Sequence, residues 1–202
     1  MQSPHSVQFF DQQFGRQVQA QDFALNPFEQ LALPYLRGPV LDYGCGLGNL
    51  ALVLARQGHV VEALDASPQA IAHLQHCATQ EGLALHSRQV DLREHQPAGP
   101  YAGIACIGLL MFFDCPCAQR QLQRLVDALA PGGVLAVNVL VQGTTYMDMF
   151  GGEDHCLFAP GELAARLGGL ELLAQQAHRF DAPGGTLKCF ETVLARRAPG
   201  RA

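Results

Sequence analysis

The sequence has no tryptophan and a single lysine, Lys188. Of its 202 residues only 15% are charged and 7% aromatic. Basic residues number 13 against 18 acidic ones, a net charge of −5, and they cluster nowhere except at Arg196, Arg197 and Arg201 near the end. A nucleic-acid backbone or an anionic lipid surface needs clustered positive charge, so neither is an expected partner. No apolar run approaches the roughly 20 residues that span a bilayer. The opening residues, MQSPHSVQFFDQQF, lack the basic and apolar regions of a signal peptide, so a cytoplasmic location is the expectation. There is no internal repeat, low-complexity block or long linker.

The seven cysteines fall at 45, 77, 106, 115, 117, 156 and 189. An odd, scattered set describes no disulfide framework, and free thiols are expected. Cys115-Pro116-Cys117 is the one close pair. It lacks both the spacing of a zinc site and a matching second pair, so no metal is expected.

What is present is enough apolar material for a core: 49% of the residues are hydrophobic. Short apolar runs alternate with helical patterns, which predicts a parallel sheet covered by helices. Residues 6–36 read as one or two helices broken by Pro27 and Pro34. Strands are expected at 38–43, 59–65, 83–89, 101–107 and 134–141. Helices are expected at 49–57, from Ser67-Pro68 to about 80, and at 116–130. Pro131-Gly132-Gly133 reads as a turn, 142–159 as a long loop, and 160–167 as a short helix. Two final strands, 170–180 and 186–195, are joined by a hairpin turn. The fold class expected is α/β, a doubly wound sheet that binds its ligand at the C-terminal strand edge, where the strand order reverses.

That edge begins with Asp42-Tyr43-Gly44-Cys45-Gly46-Leu47-Gly48. The three glycines allow a tight turn and close approach of backbone to ligand. Their spacing is G-x-G-x-G. The dinucleotide fingerprint is G-x-G-x-x-G, whose third glycine would fall at Asn49. Asp42 stands just before the glycines, where its carboxylate would repel a pyrophosphate and attract a positive centre. S-adenosylmethionine carries a sulfonium and an ammonium and no phosphate, so the turn favours it over a nicotinamide cofactor. Asp65 closes the second strand, placed to accept ribose hydroxyls, and Asp91 follows the third, placed to meet the adenine amino group. Singly, each aspartate is also a common turn or cap residue.

With these residues in view, the chain resembles the class I S-adenosylmethionine-dependent methyltransferases. The matching segments are VLDYGCGLGNLALVLARQG (40–58), VVEALDASPQAI (60–71), RQVDL (88–92), IACIGLLMFF (104–113) and LAPGGVLAV (129–137). The resemblance implies a mostly parallel seven-stranded, Rossmann-like sheet with an antiparallel terminal hairpin. It also implies cofactor contacts at Asp42, Gly44, Cys45, Gly46, Gly48, Asp65, Ala66, Asp91, Leu92 and Ile107. Residues 1–36 are then expected as a helical lid and 37–197 as the methyltransferase domain. Within the class, the chain is similar to the bacterial tellurite-resistance methyltransferases through Leu109–Phe113, Phe158–Leu163 and HRFDAPGGTLK (178–188). That group implies an active-site pair at His178 and Arg179 and a second arginine in the next strand, where this chain has Thr186.

The expected activity is methyl transfer to a small molecule, an oxyanion or thiol-like acceptor among the candidates. A non-catalytic S-adenosylmethionine-binding protein and a nicotinamide-dependent oxidoreductase are the alternatives. For the acceptor pocket the candidates are Phe10 and Phe14 as a lid over the cofactor, Met111 after the fourth strand, and Tyr146 and His155 on the long loop. Core packing is the competing role for the first three, and plain solvent exposure for His155. The chain is expected as a monomer or homodimer.

Overall fold

The computed structural model describes residues 5–200. Residues 1–4 of the expected lid segment lie outside them. Seven strands form one sheet in the order β3-β2-β1-β4-β5-β7-β6. The strands are β1 (Val40–Tyr43), β2 (Val61–Asp65), β3 (Leu85–Gln89), β4 (Tyr101–Ile107), β5 (Leu129–Leu140), β6 (Glu171–Ala182) and β7 (Thr186–Arg196). The first five run parallel, and β7 is antiparallel to both β5 and β6. The order reverses between β1 and β4, so the C-terminal ends of those strands open a crevice.

Helices cover both faces: α1 (His5–Ala20), α2 (Pro27–Ala32), α3 (Asn49–Arg56), α4 (Pro68–Glu81), α5 (Cys115–Asp127) and α6 (Glu162–Arg166). Their ends follow the sequence chemistry. Ser67 caps α4 by accepting a bond from the Ala70 amide, and Pro68 occupies the first turn. Asn26 and Glu29 form a reciprocal capping box on α2.

Side chains alternate across a strand, which divides the core in two. Leu41 and Tyr43 of β1 face α5, with Ile104, Leu122 and Leu125. Val40 packs on the other face with Leu50 and Leu54 of α3 and Leu74 of α4. Asp42 shares the parity of Val40 and is directed toward the α3 side.

Two expectations are corrected. β5 starts at Leu129 rather than 134, because the ladder already begins on the near side of Pro131-Gly132-Gly133. Leu129 pairs with Tyr101, and the register shifts before Gly103 pairs with Val134. The cysteines are not all free: Cys115, at the start of α5, is bonded to Cys156 in the loop after β5. The other five are unpaired. The loop is therefore fastened beside the segment of Met111, whose carbonyl also accepts the Cys156 amide at 3.0 Å.

A cross-link spanning 41 residues stabilises by about 4 kcal/mol through the restricted unfolded chain. Reductant is thus expected to lower the melting temperature of the wild type by several degrees and to leave Cys156→Ser unaffected. Equal melting of the wild type with and without reductant would contradict the pairing.

Candidate active site at the β1–β4 crevice

A cavity of about 650 Å³ opens over the C-terminal ends of β1, β2 and β4, mid-range for small-ligand sites. Its floor is the glycine turn between β1 and α3. Gly44, Gly46 and Gly48 all have left-handed backbone conformations, with φ of 82°, 53° and 74°. Space for side chains is tight there as well. A Cβ on Gly46 would lie 3.1 Å from the Phe14 ring, and one on Gly48 would lie 2.6 Å from Leu74. Gly48 also begins α3 without a side-chain cap of its own, and the Ala51 amide in that first turn bonds to the Asp42 carboxyl instead.

Carboxyl groups surround the turn. Asp42 is 5% exposed. Burial pushes its carboxyl up to about 8, and the Glu29 and Asp65 carboxylates add to the effect, while a bond from the Ala51 amide opposes it. Asp65 accepts bonds from the Gly46 and Ser67 amides, both at 2.8 Å, so it shapes the turn whatever it contacts on a ligand. Burial raises its carboxyl too. Cys45 is buried and its thiol is pushed well up, which makes it a small filler and not a nucleophile.

All ten expected cofactor positions lie on the walls of this cavity, Asp91, Leu92 and Ile107 included. Phe10, Phe14 and Met111 lie there as well. Phe10 and Phe14 come from α1, whose residues 6, 10, 13, 14 and 17 form one helical face along the cavity. α1 is held down by a hydrogen bond between the Ser67 hydroxyl and the Asp11 carboxylate, and by the His5 amide donating to Glu153 at 2.7 Å.

Four expected site residues are not on the walls. His178 packs edge to face against Phe28, with centroids 5.3 Å apart, and Phe28 stands between it and the cavity. Arg179, next along β6, pairs with Cys189 whereas His178 pairs with Phe190. Adjacent strand residues point to opposite faces, so one site cannot receive both side chains directly. His155 stacks on Phe150 at 4.4 Å, and Tyr146 lies beneath the Lys188 ammonium at 4.6 Å.

Three wall residues have no local signal in the sequence. Glu29 arrives from α2, and burial raises its carboxyl. Asn138 of β5 donates from Nδ2 to the Thr192 hydroxyl at 2.9 Å. Among the described residues its buried Oδ1 has no partner, which leaves an acceptor for a donor brought by a ligand. Lys188 comes from β7, and burial lowers its ammonium pKa.

S-adenosylmethionine suits this chemistry: left-handed glycines in close quarters, and carboxyl groups that, once ionised, attract a positive centre and repel a pyrophosphate. The sheet order and the reversed β7 are those of the class I S-adenosylmethionine-dependent methyltransferase fold.

Known proteins share that fold. The family described as Methyltransferase domain matches residues 40–133. The ubiquinone biosynthesis O-methyltransferase of Xylella fastidiosa strain 9a5c is 36% identical over 128 residues, 58% of this chain and 49% of that protein. The chain spans about half the length of the curated relatives it matches, or less. Among solved structures, TehB from Haemophilus influenzae superposes with a TM-score of 0.75 at 21% identity, covering 86% of this chain and 63% of that one. The N-methyltransferase NodS from Bradyrhizobium japonicum, solved with S-adenosylhomocysteine, gives 0.66 at 18%, covering 90% and 97%. At these identities the structures establish the shared fold.

Among the described residues no group of three or more His, Cys, Asp or Glu could hold a metal ion. None of the described helices is long and apolar enough to cross a membrane.

Proposed function

We propose that the chain moves a methyl group from S-adenosylmethionine to a small acceptor held in the same cavity. The observation that carries this is the continuity of one cavity from the acidic glycine turn to an apolar end built from Phe10, Phe112, Leu140 and Phe190. When bound, the cofactor supplies a sulfonium methyl, which a lone pair on the acceptor takes in line as the carbon–sulfur bond breaks and the sulfur becomes a neutral thioether.

The residues of the chain position and shield. Asp42 and Glu29 set negative charge against the cofactor's ammonium and sulfonium. The glycine turn lets backbone approach it, and Asp65 and Asp91 serve its ribose and adenine. α1 acts as the lid: Phe14 lies over Gly46 and Phe10 over the apolar end, so water is excluded from the point where the two molecules meet. Of the described residues, 5–36 serve as the lid and 37–197 as the transferase body.

The test is incubation of the protein with methyl-labelled S-adenosylmethionine and a panel of small acceptors. Label is expected on at least one acceptor, with S-adenosylhomocysteine formed in equal amount. Tight cofactor binding with no label moved to any acceptor would favour the non-catalytic reading.

A further inference from the structure

The apolar end of the cavity has a distinct chemistry. Phe10 meets Phe112 edge to face at 5.1 Å, and Phe28 meets Phe190 at 5.0 Å. Met111 and Met149 line the same cavity and cluster with Phe112 and Phe190. Flat aromatic and thioether surfaces favour contact with a ring.

One cation stands against this wall. Lys188 is the only lysine of the chain. It lies two residues before Phe190 on β7, so the two side chains share a face, and both line the cavity. Its ammonium rests over the Tyr146 ring, which holds it in place without neutralising it. Among the described residues Lys188 makes no ion pair. The other cation on the walls, Arg93, belongs to the loop after β3 and lies 4.0 Å from Asp91. A half-buried charge without a counter-ion has already lost part of its hydration, and an arriving anion recovers that cost.

From this placement we infer that the acceptor is a flat, apolar ring molecule bearing one negative charge, and that Lys188 receives that charge. The inference rests on the methyl-transfer reading of the cavity. It sets aside a compact inorganic oxyanion, which is strongly hydrated and needs several charged donors to leave water. Here it would meet phenylalanines, the Lys188 ammonium and an Arg93 already beside Asp91, because His178 and Arg179 stand off the walls.

Calorimetry on the whole chain, alone and saturated with S-adenosylhomocysteine, tests this. The probes are naphthalene carboxylate, its neutral counterpart naphthalene methanol, and selenite. Naphthalene carboxylate is expected to bind saturably. Lys188→Met is expected to weaken it at least tenfold, and Lys188→Arg to restore most of the loss. Naphthalene methanol should bind weakly and equally to all three proteins, and selenite should give no saturable heat. Unchanged carboxylate affinity in Lys188→Met, or selenite binding in place of the ring anion, overturns the inference. Equal affinity of the three proteins for S-adenosylhomocysteine shows that the fold is intact. If that ligand binds none of them, the cofactor reading fails, and the probes on the protein alone still decide the role of Lys188.

Discussion

Gly48→Val is expected to abolish S-adenosylmethionine binding and to lower stability. Two costs combine. The left-handed backbone, at φ 74°, costs a residue with a Cβ about 1–2 kcal/mol. The new side chain also collides with Leu74, a fully buried residue of α4, and overpacking costs about 1–3 kcal/mol more. Relief requires repacking the buried Leu74 side chain or shifting the first turn of α3, and the second moves the backbone on the cavity wall. Gly58→Ala separates the terms: φ is 87° but nothing lies within 4 Å of the added Cβ. It should lose only the backbone part of the stability and bind the cofactor normally. Thermal melts and calorimetric titrations of both variants check this. Normal binding by Gly48→Val would show that the turn does not cradle the ligand.

The second large effect concerns Asp42. Its carboxyl is raised to about 8 in the folded protein, against about 3.9 in an unfolded chain. Between those values the folded state holds a proton that the unfolded state has released. Stability from this group is therefore full below about pH 4 and is lost as pH rises through about 8. Without cofactor the protein should melt lower at about pH 8.5 than at about pH 5.5. Asp65 and Glu29 are raised as well, so Asp42→Asn should flatten part of the slope and not all of it.

Cofactor binding runs the other way, because a positive ligand favours the ionised carboxylate. Affinity should rise toward pH 8, by up to about tenfold per pH unit, with a proton released on binding at about pH 6.5. Titrations in two buffers of different ionisation heat measure that release. Asp42→Asn keeps the shape of the protonated form, so it should fold normally. It should bind S-adenosylmethionine about 10–100-fold more weakly, the worth of a charge-assisted hydrogen bond, about 1.5–3 kcal/mol. A binding heat that does not depend on the buffer would contradict the assignment.

Much of the fold was readable because its signals are local. Ser67-Pro68 marks the start of α4 by the chemistry of one helix turn, and the glycine turn depends on a backbone shape that only glycine adopts freely. The ligand end of each parallel strand follows from the topology, so Asp42, Asp65 and Asp91 were legible as one group.

The rest depends on contacts distant in sequence. Glu29 reaches Asp42 only because α2 packs across the end of the sheet. Asn138 and Lys188 meet the cavity through the pairing of β5 with β7 and the facing of β7. Cys115 and Cys156 are 41 residues apart, with nothing in their spacing to join them. His178 and Arg179 look like a pair in the sequence, but the two-residue period of β6 separates them. Where β5 begins was hidden because Pro131-Gly132-Gly133 reads as a stop, while the ladder to Tyr101 restarts before it.

The most direct measurement is a calorimetric titration of the protein with S-adenosylmethionine, with S-adenosylhomocysteine and NADH in parallel. A site built on Asp42, Glu29 and the glycine turn should take up one S-adenosylmethionine, bind S-adenosylhomocysteine without needing its sulfur to be charged, and give no heat with NADH. Saturable binding of NADH with none of S-adenosylmethionine would contradict it.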